Sequence, residues 1–150
     1  LIFKTKVRKQ KDIYYRYIVF SVINFIIALV LVCFYFVLSN DYLLFISGFI
    51  FLLGFLTPII TAHLYKIIPF LVWFHRFSSL VGKQKVPMLA DMVPVKSSDF
   101  GFAFYLLGFI LSLIAFIFSS DILFKSAVSF LFVGTSFIVK DVFYIINFKG

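Results

Sequence analysis

Four long apolar stretches, with nearly all charged residues confined to the gaps between them, constrain this chain more than any other feature. They cover residues 17–38, 42–62, 100–118 and 122–139. A helix rises 1.5 Å per residue, so about 20 residues cross a hydrocarbon core of about 30 Å. The pattern predicts an all-α, polytopic membrane protein with four transmembrane helices.

The composition excludes a water-soluble globule. Of the 150 residues, 63% are hydrophobic and 13% charged, which leaves too little polar surface to face water. We interpret the 24 Phe residues as lipid-facing packing. The single cysteine, Cys33, excludes an intrachain disulfide. All six acidic residues are Asp, near the ends of the predicted spans, so we do not expect paired-carboxylate catalysis within the membrane.

The fourth stretch can be framed in two ways. A span over 122–139 places Lys125 near its start and leaves Lys140 and Asp141 beyond its end, whereas a span over 126–146 encloses both charges. We prefer the first frame, because charges are costly within a bilayer and Lys125 can extend its ammonium to the interface.

Two very short connections predict two antiparallel hairpins within a single transmembrane domain. Residues 39–41 and 119–121 each offer an Asp or Ser to cap the next helix. Small residues recur at intervals of seven, which keeps them on one helix face and predicts close helix packing. They are Ser47, Gly54 and Thr61, then Gly101, Gly108 and Ala115, and finally Ala127 and Gly134.

Basic residues predict the orientation. They cluster before the first span, between the second and third, and after the fourth, while the hairpin tips carry Asp41 and Asp121. Positive loops stay cytoplasmic, so both termini and the loop 76–99 are expected in the cytoplasm. We attribute the net charge of +8 to topology and anionic lipid headgroups, and expect a lipid bilayer and no nucleic acid as partner.

The chain opens on three apolar residues, 1–3, directly before a basic arm. This resembles the last turn of an earlier helix reaching the cytoplasmic face. We therefore expect the C-terminal part of a longer protein, with upstream helices or other membrane subunits as partners.

The segment 57–94 stays apolar well past the second span. Either the helix is overlong and kinked near Pro58 and Pro69, or residues 65–79 lie along the cytoplasmic interface. Four side chains within this segment are predicted interface anchors, namely Tyr65, Lys66, Trp73 and Arg76.

His63 leaves two interpretations open. Its imidazole either has a function, as a ligand for haem or a metal or as a proton relay, or it is a hydrogen-bonded or hydrated residue at the membrane boundary. His75 lies twelve residues on, without the i, i+4 spacing or third ligand that a metal site requires. We assign no metal site and no catalytic residue from the sequence.

The run HLYKIIPFLVWFHRFSSLVGKQKVPMLADMVP, residues 63–94, together with the basic arm ending at Asp12, carries a family resemblance. It resembles uncharacterised bacterial multi-pass membrane proteins that look distantly like haem-copper oxidase subunit I. The resemblance implies a bacterial inner-membrane protein of respiratory type, with haem as cofactor and His63 as the ligand. The paired ligands of the oxidases do not carry over, because the chain has no His-x-His pair.

Three functions follow as hypotheses. The first is a haem-associated or oxidase-like respiratory component. The second is a non-catalytic membrane subunit or assembly factor that docks a cytoplasmic partner through the basic loop 76–96. The third, a small-solute transporter, requires polar residues in mid-span, for which Asn24, Ser112, Ser129 and Thr135 give little support.

Overall fold

The computed structural model describes residues 13–148, and within that range it contains helices and no strand. Four long helices follow one another: α1 (Ile13–Leu38), α2 (Asp41–Leu80), α3 (Val95–Phe118) and α4 (Asp121–Ile146). Each is long and apolar enough to cross a membrane. The predicted upstream turn at 1–3, the basic arm through Asp12, and Lys149 lie outside the described residues.

The outer surface of the bundle is apolar. Phe36, Val37, Ile122 and Phe132 are each more than 70% exposed. A water-soluble protein does not spread such side chains over its surface, because burying them is the main driving force for folding in water. The exposed surface is therefore the lipid-facing side of a polytopic membrane protein.

Two tight turns make the two hairpins. Asn40 caps α2 by accepting a bond of 3.0 Å from the backbone N–H of Tyr42, and Ser120 caps α4. The residue before each cap, Ser39 or Ser119, has a φ of 48°, which closes the preceding helix in the left-handed conformation. The first cap is Asn40 rather than the predicted Ser or Asp, because Asp41 already lies within the helix.

Glycines bring α3 and α4 into very close contact. A Cβ atom on Gly108 would lie 2.7 Å from the backbone N of Leu131, and one on Gly134 would lie 2.7 Å from the backbone N of Tyr105. At Gly101 the nearest atom would be the Cβ of Phe137, at 3.0 Å. Ala115, also on α3, is buried as well. The two backbones approach so closely only because these positions carry small side chains.

The helix α2 widens into a π-helical segment at Ile50–Leu56, just before Pro58. Proline has no N–H to donate to the preceding turn, and a wider turn redirects the backbone bonds there. Neighbouring helices use two of the carbonyls: Ser21 donates to the carbonyl of Phe55 at 2.9 Å, and Tyr105 to that of Leu53 at 2.6 Å. Gly54 lies in this segment, where a Cβ would fall 2.8 Å from the ring of Phe109.

The second half of α2 is a continuous helix. The whole of α2 has 40 residues and is about 60 Å long, whereas α1 has 26 residues. Its side chains at His63 and Lys66 contact Tyr14 near the start of α1. The last turns of α2 therefore extend beyond the first residues of α1, and a separate helix at 65–79 does not form.

The end of α4 also differs from the preferred sequence frame. The helix continues to Ile146, so Lys140 and Asp141 lie within it. Asp141 is 1% exposed. The carboxyl group faces the bundle interior and a hydroxyl donor, so the longer helix does not expose this side chain to lipid.

Candidate functional site

The bundle interior holds a buried carboxyl group at the end opposite the hairpin tips. Asp141 on α4 accepts through its Oδ2 a hydrogen bond of 2.7 Å from the hydroxyl of Tyr65 on α2. Both side chains are at most 5% exposed. The bond connects the second helix of one hairpin with the second helix of the other, so it ties the two hairpins together.

The remaining two helices each add a hydroxyl beside this carboxyl group. Tyr17 on α1 is fully buried, with its ring stacked on that of Tyr65 at a centroid distance of 6.1 Å. Ser97, in the first turn of α3, has its hydroxyl next to Asp141. Within residues 13–148, neither hydroxyl has a hydrogen-bond partner, and neither does the Oδ1 of Asp141. We call Tyr17, Tyr65, Ser97 and Asp141 the Asp141 cluster.

Apolar side chains surround the Asp141 cluster and separate it from water. Phe102 meets the ring of Tyr17 edge to face at 4.9 Å. Phe77 and Ile145 belong to the same buried group, and so does Met92, which comes from the connection between α2 and α3 and is fully buried. The connection therefore closes the bundle over the cluster.

An ion pair joins the two hairpins beside the cluster. The Nη1 of Arg16 lies 2.9 Å from the Oδ1 of Asp99, and the two side chains are 35% and 42% exposed. Such partly exposed pairs contribute at most about 1 kcal/mol each. This pair adds specificity to the docking of α1 against α3 more than it adds stability.

His63, the candidate haem ligand, lies on the exposed side of α2. Its Nδ1 is 2.7 Å from the carbonyl oxygen of Ile59, so the proton belongs on Nδ1 and Nε2 remains for a ligand. His75 makes the same contact with the carbonyl of Leu71 at 2.8 Å, so the arrangement does not single out His63. In the described part of the chain, no three His, Cys, Asp or Glu side chains are grouped so as to hold a metal ion.

The four predicted interface anchors occupy different environments. Lys66 is exposed, and its Nζ lies 4.5 Å from the centre of the Tyr14 ring. Trp73 donates from Nε1 to the carbonyl of Pro87 at 2.9 Å, and Arg76 donates to the carbonyl of Phe148 at 2.6 Å. Tyr65 is the exception: it lies in the interior, because its hydroxyl is the donor to Asp141.

The sequence did indicate that Asp141 faces the bundle interior, but the cost of a charge within the bilayer favoured placing it beyond the span. Asp141 follows Ala127 and Gly134 at the same interval of seven residues. Since both small residues are buried against α3, the next member of that stripe also faces inward. Tyr17 had no such signal, because an apolar helix with tyrosine at its end is typical of a lipid interface.

Comparisons of this chain with protein-family models, with curated proteins and with solved structures found no match. The resemblance to multi-pass relatives of haem-copper oxidase subunit I therefore stays a prediction from residues 63–94.

Proposed function

We propose that this chain is a non-catalytic subunit of a bacterial inner-membrane assembly, which docks a cytoplasmic protein through the connection between α2 and α3. The observation that carries the proposal is the ordered, exposed surface formed by residues 81–89 at the basic end of the bundle. Its chemistry combines exposed apolar side chains with lysines.

The connection is held against the bundle towards the C-terminal end of this surface. Trp73 donates its indole N–H to the carbonyl of Pro87. A short 3-10 helix at Leu89–Met92 then buries Met92 completely. Asp91 stabilises the start of this helix by accepting a bond of 3.0 Å from the backbone N–H of Met88. Together with the end of α2 at Leu80, these contacts fix both ends of the exposed segment 81–86, which lowers the entropy cost of binding.

The presented surface is both apolar and basic. Val81 and Leu89 are 54% and 42% exposed, and Lys83 and Lys85 between them are also exposed. The chain turns at Gly82, whose φ of 82° favours glycine. An acidic surface with an apolar centre complements this arrangement, since opposite charges at the rim guide partners and apolar contacts hold them.

The position of the charges supports a cytoplasmic location for this end. The connection, the start of α1 and the end of α4 lie at one end of the bundle, where Arg76 contacts the carbonyl of Phe148. The hairpin tips with Asp41 and Asp121 are at the other end, where Tyr42 contacts the carbonyl of Phe116. By the positive-inside rule, the first end faces the cytoplasm.

Site-specific photocrosslinking in cells tests the docking proposal. A photoreactive residue at Val81 should give a protein adduct of discrete mass, and the double variant Lys83→Glu and Lys85→Glu should remove it. The matched control is Ile122, at the hairpin tips and 78% exposed, which should not give that adduct. Adducts to lipid alone, or a protein adduct that the charge reversal leaves unchanged, would contradict docking.

Haem association through His63 is the second candidate, because the imidazole is exposed and its Nε2 is left for a ligand. Ligating histidines usually donate their other ring nitrogen to a carbonyl or carboxylate, as the contact with Ile59 allows. One exposed imidazole would supply one ligand to a haem iron.

An optical spectrum of the purified protein tests this candidate. If His63 is an axial ligand, a Soret band is present, His63→Ala shifts or abolishes it, and His75→Ala leaves it intact. His75 is the matched control because its Nδ1 makes the same backbone contact. A spectrum without haem bands, or equal spectra for both variants, would exclude the candidate.

A further inference from the structure

The Asp141 cluster has more buried oxygen atoms than it has hydrogen bonds. The Tyr65 hydroxyl satisfies one carboxyl oxygen of Asp141. The other carboxyl oxygen and the adjacent Ser97 hydroxyl make no hydrogen bond of good geometry, and the Tyr17 hydroxyl has no partner among the described residues. A carboxylate alone accepts about four hydrogen bonds, and buried groups without partners are rare in stable proteins. Three such atoms in one place therefore require an explanation.

Positively charged side chains do not supply it. In the described part of the chain, the only ion pair joins Arg16 to Asp99. Lys140 is adjacent to Asp141 in sequence, but it is exposed and its Nζ lies 5.5 Å from the centre of the Phe137 ring. Within this part of the protein, the ionised form of the buried carboxyl group therefore has no cationic side chain paired with it, which makes its ionisation costly.

The donor atoms define the ligand that fits. They are all oxygen atoms, which favour hard cations over the softer metals that prefer sulfur or nitrogen. One carboxylate supplies a single negative charge, which a monovalent cation balances, whereas Ca²⁺ and Mg²⁺ sites normally draw on several carboxylates or many more oxygen ligands.

We propose that the Asp141 cluster is a binding site for a small monovalent cation of the size of Na⁺, held by Asp141 together with the hydroxyls of Tyr17, Tyr65 and Ser97. Because these four residues come one from each helix, the bound cation clamps the two hairpins together at the basic end. Met92 belongs to the same buried group as Tyr17 and Tyr65, so the connection between α2 and α3 packs against the site.

Thermal unfolding of the purified full chain tests the site, with NaCl replacing choline chloride at constant ionic strength and pH. Trp73 is the only tryptophan and reports unfolding by fluorescence. At a Na⁺ concentration 100-fold above its Kd, the midpoint should rise by about 5–11 °C. The rise should saturate and should disappear in Asp141→Asn, which keeps an acceptor for Tyr65 but loses the charge.

Two further variants separate binding from folding. Tyr17→Phe removes a hydroxyl that makes no hydrogen bond in the described protein, so it should keep its stability without Na⁺ and lose most of the response to Na⁺. Asp99→Asn removes a carboxylate on the neighbouring ion pair and should keep the full response.

Two results would overturn the proposal. One is a wild-type midpoint that is the same in NaCl and choline chloride, or that Na⁺ raises equally in Asp141→Asn. The other is a midpoint that follows pH but not Na⁺, and does so only when Asp141 is present. That second result would assign the site to a proton.

Discussion

Replacing Gly134 by alanine should destabilise the bundle, although alanine is the better helix former. The new Cβ would lie 2.7 Å from the backbone N of Tyr105 and 2.9 Å from its Cα. Backbone atoms cannot move aside as the end of a flexible side chain does. The helices α3 and α4 must therefore separate by several tenths of an ångström along their shared interface.

The magnitude follows from two opposing effects. Forcing an extra group into a packed interface costs about 1–3 kcal/mol, and the higher helix propensity of alanine offsets about 1 kcal/mol of that. The matched control is Gly48, also within a helix, where a Cβ would meet nothing within 4 Å. Gly48→Ala gains only the stability that the higher helix propensity of alanine gives. The two variants should therefore differ in unfolding free energy by about 2 kcal/mol.

Equilibrium unfolding in mixed micelles with increasing denaturing detergent measures this difference. Gly134→Ala should unfold at a lower detergent fraction than the wild type, and Gly48→Ala at the same fraction or a higher one. If the two alanine variants unfold together, the close contact between α3 and α4 is refuted.

Two further substitutions test the basic end. Tyr65→Phe removes the donor to a buried carboxyl oxygen of Asp141 and should lower the unfolding free energy by about 1–3 kcal/mol. The control Tyr15→Phe, at an exposed position, should change it little. Equal losses of stability for the two variants in micelle unfolding would contradict the buried bond. Trp73→Phe removes the bond to the carbonyl of Pro87 and should speed tryptic cleavage after Lys85, and an unchanged cleavage rate would show that this bond does not hold the connection.

The general fold could be predicted from the sequence because the bilayer imposes it. An apolar run of about 20 residues has few alternatives to a spanning helix, and a three-residue connection forces antiparallel neighbours. The widening of α2 before Pro58 was less accessible. A proline indicates a disturbed turn, but the carbonyls it exposes are used by Ser21 and Tyr105 on other helices, and the sequence does not state which helices are adjacent.

The candidate site illustrates the same limit. Asp141 and Tyr65 are 76 residues apart, so each was judged from its local surroundings alone. A tyrosine near a span end suits the interface, and an aspartate suits the water beyond it. Their contact depends on the docking of one hairpin against the other, which places the two side chains together and makes burial tolerable for both.

The orientation of the basic end is the central claim, because docking of a cytoplasmic partner depends on it. Single cysteines at Asp41, Asp121 and Gln84, all exposed positions, can be placed in a Cys33→Ser background and treated with a membrane-impermeant thiol reagent. The cysteines at 41 and 121 should react in intact cells, and that at 84 only after lysis. Reaction at 84 in intact cells, with 41 and 121 protected, would contradict the orientation and the function built on it.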